Sequence, residues 1–98
     1  MRIIVKQDGV PLSVFSLSHE PLYFGRSPEN DVMLDDKDVS RRHAKITRLE
    51  RQVVLEDLQS LNGTKIGGTK IEKVALSVGD SFQIGSFEIS IEESLPKT

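Results

Sequence analysis

Cysteine and tryptophan are both missing from this chain of 98 residues, which holds one tyrosine and four phenylalanines. Without cysteine there is no disulfide framework and no thiolate metal site. So few aromatic rings leave no platform on which nucleic-acid bases could stack. Long apolar runs are also lacking. Nothing approaches the roughly 20 apolar residues of a membrane-spanning helix. The opening run Met1-Arg2-Ile3-Ile4-Val5 is ended by Lys6 and Asp8, too soon for a signal peptide. The expectation is a cytoplasmic protein without a membrane partner. A surplus charge of one sign is absent too: the net charge of −2 gives no bulk attraction to nucleic acid or anionic lipid.

What is present reads as one folded domain. Apolar residues make up 37% of the chain, and charges of both signs are spread along it. The apolar runs are short, separated by turn residues, and none forms a convincing amphipathic helix. Strands are expected at Ile3 to Lys6, Leu12 to Leu17, Leu22 to Arg26, Val32 to Leu34 and His43 to Leu49. Others follow at Val53 to Asp57, Thr64 to Ile66, Lys70 to Ile71, Phe82 to Ile84 and Phe87 to Ile91. Asp8-Gly9, Arg51-Gln52, Gly67-Gly68 and Gly85-Ser86 supply hairpin turns. Such a succession of short strands predicts an all-β sandwich or barrel. The domain is expected over residues 1–91, with 92–98 a tail or the start of a linker.

Three polar pieces punctuate the apolar runs: Gly25-Arg26, Ser40-Arg41-Arg42-His43 and Asn62-Gly63-Thr64. Gripping a phosphate dianion against water takes charge-assisted donors held in place. The planar fork of Arg26 gives two parallel hydrogen bonds and never loses its proton. Ser40 donates a hydroxyl proton, and Asn62 has both donors and an acceptor with which to bracket a peptide backbone. Gly25 allows a close approach, and Gly63 a positive φ in a tight loop.

The order and spacing of these pieces, closed by Asp57 and Ser60-Leu61-Asn62-Gly63-Thr64, resemble the forkhead-associated (FHA) family over most of the chain. The resemblance implies a β-sandwich of about eleven short, mainly antiparallel strands, with a loop-based binding site at one end. It implies phosphothreonine-dependent binding of a peptide or protein in Ser/Thr-kinase signalling, with no catalysis and no cofactor. Arg26 and Ser40 would contact the phosphate, Arg41 the phosphate or peptide backbone, and Asn62 the backbone beside the phosphothreonine. Gly25, His43 and Gly63 would be architectural, His43 bracing the loops. Leu61 departs from the family, many of whose members carry Thr or Ser there; only its backbone N–H is left to serve the site. Asp38, two before Ser40, would help select the third residue after the phosphothreonine, disfavouring acidic side chains and tolerating or preferring Lys or Arg. Other domains of a longer parent chain are further expected partners.

Competing readings are weaker. A Ser40–His43 nucleophile pair needs an orienting carboxylate and an oxyanion hole, and Asp38 is too close in sequence to converge properly. Counted from Asp36, a calcium loop would have Arg41 in place of Gly at position 6 and Thr47 in place of Glu at position 12. No metal is therefore expected. Asn62-Gly63-Thr64 matches a glycosylation sequon, a coincidence in a protein without a secretory signal. Arg41, Arg42, Lys45 and Arg48 form a discontinuous basic patch, since Lys45 and Arg48 point to opposite faces of a strand. Nucleic acid is not an expected partner. A phospho-independent protein scaffold is the remaining alternative.

Overall fold

Alternation and turn chemistry build the strands. A computed structural model describes residues 1–93. Ile3 and Val5 point inward from β1 (Arg2–Gln7). Asp8 and Gly9, both at positive φ (53° and 78°), then fold the chain back as β2 (Val10–Ser16). After β3 (Leu22–Gly25) and the short β4 (Val32–Met33), a polar loop leads to β5 (Ala44–Leu49) and β6 (Gln52–Asp57). Next come β7 (Thr64–Ile66), β8 (Thr69–Ile71) and β9 (Lys73–Leu76), then the final hairpin of β10 (Ser81–Ile84) and β11 (Phe87–Glu92).

These eleven strands form a six-stranded sheet, β2-β1-β11-β10-β7-β8, and a five-stranded sheet, β4-β3-β5-β6-β9. The pairings are antiparallel except between β3 and β4. No helix occurs among the described residues. The all-β sandwich expected from the sequence is therefore what forms. Its core lies between the sheets, where Phe24 of β3 meets Phe82 of β10 edge to face, ring centres 5.7 Å apart at 87°. Full burial of such a side chain contributes about 1.5–3 kcal/mol. Ile46 and Leu55 from one sheet, and Ile84, Ile89 and Ile91 from the other, fill the rest.

Apart from shifts of one or two residues at strand ends, three details differ from the expected pattern. The strand β9 was not anticipated, because Ala75 blurs the alternation of Lys73-Val74-Ala75-Leu76. It pairs with β6, Val53 opposite Leu76, and turns Val74 and Leu76 toward the core. The β5–β6 turn is Glu50-Arg51, one residue earlier than expected, with Leu49 opposite Gln52 and Glu50 at φ 57°. Finally, β11 runs through Glu92, opposite Arg2 and ion-paired to it at 3.5 Å, one residue past the expected domain end at 91. Residues 94–98 of the expected tail lie outside the described residues.

Candidate functional site

Three loops, 26–31, 34–43 and 58–63, are tied together by backbone and side-chain hydrogen bonds at one end of the sandwich. Gly25, the last residue of β3, makes this possible. Its α-carbon lies directly against the carbonyl of Arg41, with Asn30 Nδ2 close by, so there is no room for a side chain. That closeness lets Arg26 N donate to Ser40 O (3.0 Å) and Ser27 N to Arg41 O (3.3 Å). Asn30 Nδ2 donates to Arg41 O as well (2.7 Å) and to Ser27 O (2.8 Å), locking the first loop to the second.

The fully buried His43 joins the second loop to the third. Its Nδ1 accepts from the backbone N–H of Ser40 at 3.1 Å, so the ring proton is on Nε2, which donates to Gly63 O at 2.9 Å. Both ring nitrogens are thus committed to backbone, and neither reaches the Ser40 hydroxyl. The nucleophile pair considered above does not form. Gly63 sits at φ 88°, and the Asp57 carboxylate completes the third loop: it accepts from Ser60 Oγ (2.5 Å), Ser60 N (3.0 Å) and Thr64 Oγ1 (2.8 Å).

This frame carries the expected binding residues. The exposed Arg26 and Arg41 line one open depression of about 350 Å³ with Ser27 and Pro28, and neither guanidinium has a partner among the described residues. Ser40, next to Arg41 in the chain, accepts from Arg26 N through its backbone carbonyl. Its Oγ accepts from Leu61 N at 3.0 Å, which leaves the hydroxyl proton available to an acceptor. Asn62 gives one amide N–H to Asp38 O (2.9 Å), keeping its second N–H and its carbonyl for a ligand. Leu61 contributes its N–H to this network while its side chain is 85% exposed. Asp38 is exposed and lines a second groove, of about 470 Å³, with Asn62 and Gly63.

Sequence reasoning missed several members of this end of the molecule. In the sequence Asn30 is only part of a turn, and no local signal marks its contact with Arg41. Lys65 and Lys70, which also line the second groove, become neighbours only once the β7–β8 register is known. Asp36 is a fourth: its carboxylate accepts from Ser86 Oγ (2.6 Å) and from Asp38 N (2.9 Å), anchoring the second loop to the β10–β11 turn. The Ser86 hydroxyl first, and the Asp38 amide second, hold the Asp36 carboxyl below its ordinary value. A lowered folded-state pKa adds stability above the ordinary aspartate value of about 3.9, and that stability is lost as the pH falls through the folded value. In an amide NMR titration, the Asp38 and Ser86 signals are expected to move together below about pH 4. The Asp36→Asn variant should show no such step.

The other three members of the basic patch are engaged elsewhere. Arg42 lies 4.8 Å over the Tyr23 ring, Lys45 pairs with Glu56 at 3.8 Å, and Arg48 donates to the carbonyls of Glu50 and Leu17. They make no continuous basic face. No group of three or more His, Cys, Asp or Glu side chains among the described residues could hold a metal ion.

Known proteins are similar to this chain. The FHA domain family model matches residues 22–85, a span that contains every site residue from Gly25 to Gly63. The chain is 40% identical over 87 residues to an oxoglutarate dehydrogenase inhibitor of Corynebacterium jeikeium (strain K411), covering 89% of this chain and 60% of that protein. It is 36% identical over 87 residues to the glycogen accumulation regulator GarA of Mycobacterium tuberculosis (strain ATCC 25618 / H37Rv), covering 89% of this chain and 54% of that one. The chain therefore spans little more than half the length of these curated relatives. A solved structure from work on phosphothreonine-dependent FHA domain interactions aligns with a TM-score of 0.83 at 26% identity, covering 98% of this chain and 100% of its own. The chain belongs to the FHA domain family.

Proposed function

We propose that this domain is a phosphothreonine-dependent binding module, which recognises a Thr-phosphorylated peptide or protein in cytoplasmic Ser/Thr-kinase signalling. The observation that carries the reading is a set of unused donors fixed on a rigid frame. Two guanidiniums without a partner among the described residues, Arg26 and Arg41, line one depression, and Ser40, next to Arg41 in the chain, has a hydroxyl proton with no acceptor among the described residues. The phosphate would sit among these three groups. The spare N–H and carbonyl of Asn62 would hold the peptide backbone next to it. Loops already braced by His43 and Asp57 need little ordering on binding, which favours affinity. The module works by binding alone, without a cofactor and without bond-making. Its relatives' names, an inhibitor and a regulator, support a regulatory role within a longer chain.

Calorimetric titration with phosphothreonine, phosphoserine and unphosphorylated peptide pools tests this. Binding of order micromolar, about −8 kcal/mol, is expected for the phosphothreonine pool alone. Equal binding of the unphosphorylated pool would instead mean a phospho-independent scaffold.

Leu61 offers a gain-of-function test. Its backbone N–H already points at Ser40 Oγ, so a hydroxyl at this position would lie beside the phosphate site. One added hydrogen bond is worth about 0.5–1.5 kcal/mol net. Leu61→Thr is therefore expected to tighten phosphothreonine-peptide binding by about two- to tenfold. The side chain is 85% exposed, so stability should hardly change.

A further inference from the structure

Lys65 and Lys70 stand directly opposite each other in the β7–β8 pair, and Gln83 of β10 faces Lys65 on its other side. Like charges in such positions repel and destabilise a sheet. Neither lysine forms an ion pair among the described residues. The next acidic residue along this row is Glu88, beyond Gln83, and Lys6 faces it from β1. Asp38 borders the same groove but pairs with neither ammonium.

The position of Lys70 is set by the site itself. Its stem crosses Gly63 so closely that a side-chain carbon there would come within 2.9 Å of Lys70 Cγ and Cδ. The charge is thereby carried along the Asn62-Gly63 loop into the groove of about 470 Å³ that Asn62, Lys65, Gln83 and Asp38 also line. Two cations that line one groove without an ion pair among the described residues, next to a loop proposed to grip peptide backbone, are open to an anion.

We propose that this groove receives an anionic side chain, carboxylate or phosphate, that flanks the phosphothreonine, and that Lys65 and Lys70 together select it. The inference rests on the phosphopeptide reading above and specifies its substrate class. It reverses the preference expected from Asp38 alone, because one carboxylate is outnumbered there by two ammoniums.

Four phosphothreonine peptides test it by fluorescence anisotropy at low salt. One carries alanine on both flanks, the second Glu three places before the phosphothreonine, and the third Glu three places after it. The fourth has a second phosphothreonine in place of the better-bound Glu. One acidic placement is expected to bind the wild type about five- to tenfold more tightly than the alanine peptide. The fourth peptide separates the sources: tighter binding than Glu identifies a second phosphate as the preferred anion, and weaker binding a carboxylate. In the Lys65→Ala/Lys70→Ala variant the acidic gain should vanish while the alanine peptide binds as before. Both lysines are exposed and mutually repelling, so this variant should be at least as thermally stable as wild type. The proposal is overturned if no anionic flank improves binding to the wild type, or if the gain survives in the double variant. If even the alanine peptide fails to bind, the phosphate site itself is wrong, and the inference falls with it.

Discussion

Replacing Arg26 by alanine is expected to abolish measurable binding of a phosphothreonine peptide while leaving the melting temperature where it is. The two halves of this expectation have separate causes. Arg26 is exposed and its guanidinium touches no acceptor among the described residues, so truncation strands no buried group. Its structural contribution is its backbone N–H, bonded to Ser40 O at 3.0 Å, and alanine keeps that bond. For the ligand the loss is large. Removing one partner of a hydrogen-bonded charge pair costs roughly 2–5 kcal/mol, which weakens a micromolar complex at least about thirtyfold. Arg26→Lys should fall between alanine and wild type, because it keeps the charge but loses the fork. Calorimetry with a phosphothreonine peptide, beside a thermal melt of each variant, makes the check. Wild-type affinity in Arg26→Ala would place the ligand elsewhere, as in a phospho-independent contact through a sheet face.

How much of this was legible in the sequence depends on the range of each interaction. Alternation is local, so Ile3 with Val5, Ala44 with Ile46 and Phe82 with Ile84 declared their strands and their buried faces. Turn chemistry is equally local, and Asp8-Gly9, Gly67-Gly68 and Gly85-Ser86 all close hairpins. Where a small residue blurs the period, as Ala75 does, the strand was lost. The site was legible as a set of residue types in order, because Arg26, Ser40 and Asn62 have side chains suited to an oxyanion and a peptide backbone. Their mutual support was legible only in outline, since the family resemblance implied that His43 braces the loops but not through which atoms. That His43 accepts from Ser40 N and donates to Gly63 O, and that Lys65 faces Lys70, follow from how distant loops and strands meet. No short-range pattern encodes such meetings.

Gly25 shows the difference most sharply, since the residue type was read correctly but its reason lies sixteen positions away, at Arg41. It is not at a positive φ, so alanine meets no backbone strain there. What alanine meets is the Arg41 carbonyl, well inside contact distance, and Asn30 Nδ2 at 2.7 Å. A carbonyl group cannot swing aside as the end of a flexible side chain can. The loop must move, and with it go the bonds from Ser27 N and Asn30 Nδ2 to Arg41 O and from Arg26 N to Ser40 O. Overpacking costs about 1–3 kcal/mol, and each disrupted hydrogen bond about 1 kcal/mol more. Gly25→Ala is therefore expected to destabilise the domain by about 4–6 kcal/mol and to lower its melting temperature by about 15 °C or more. Ligand affinity should fall with it, because Arg26 and Arg41 are carried by the two segments that the methyl group forces apart. A thermal melt together with a peptide titration well below the transition checks both effects. An unchanged melting temperature would mean that the loops can separate without loss, and that the frame is not what holds the phosphate donors in place.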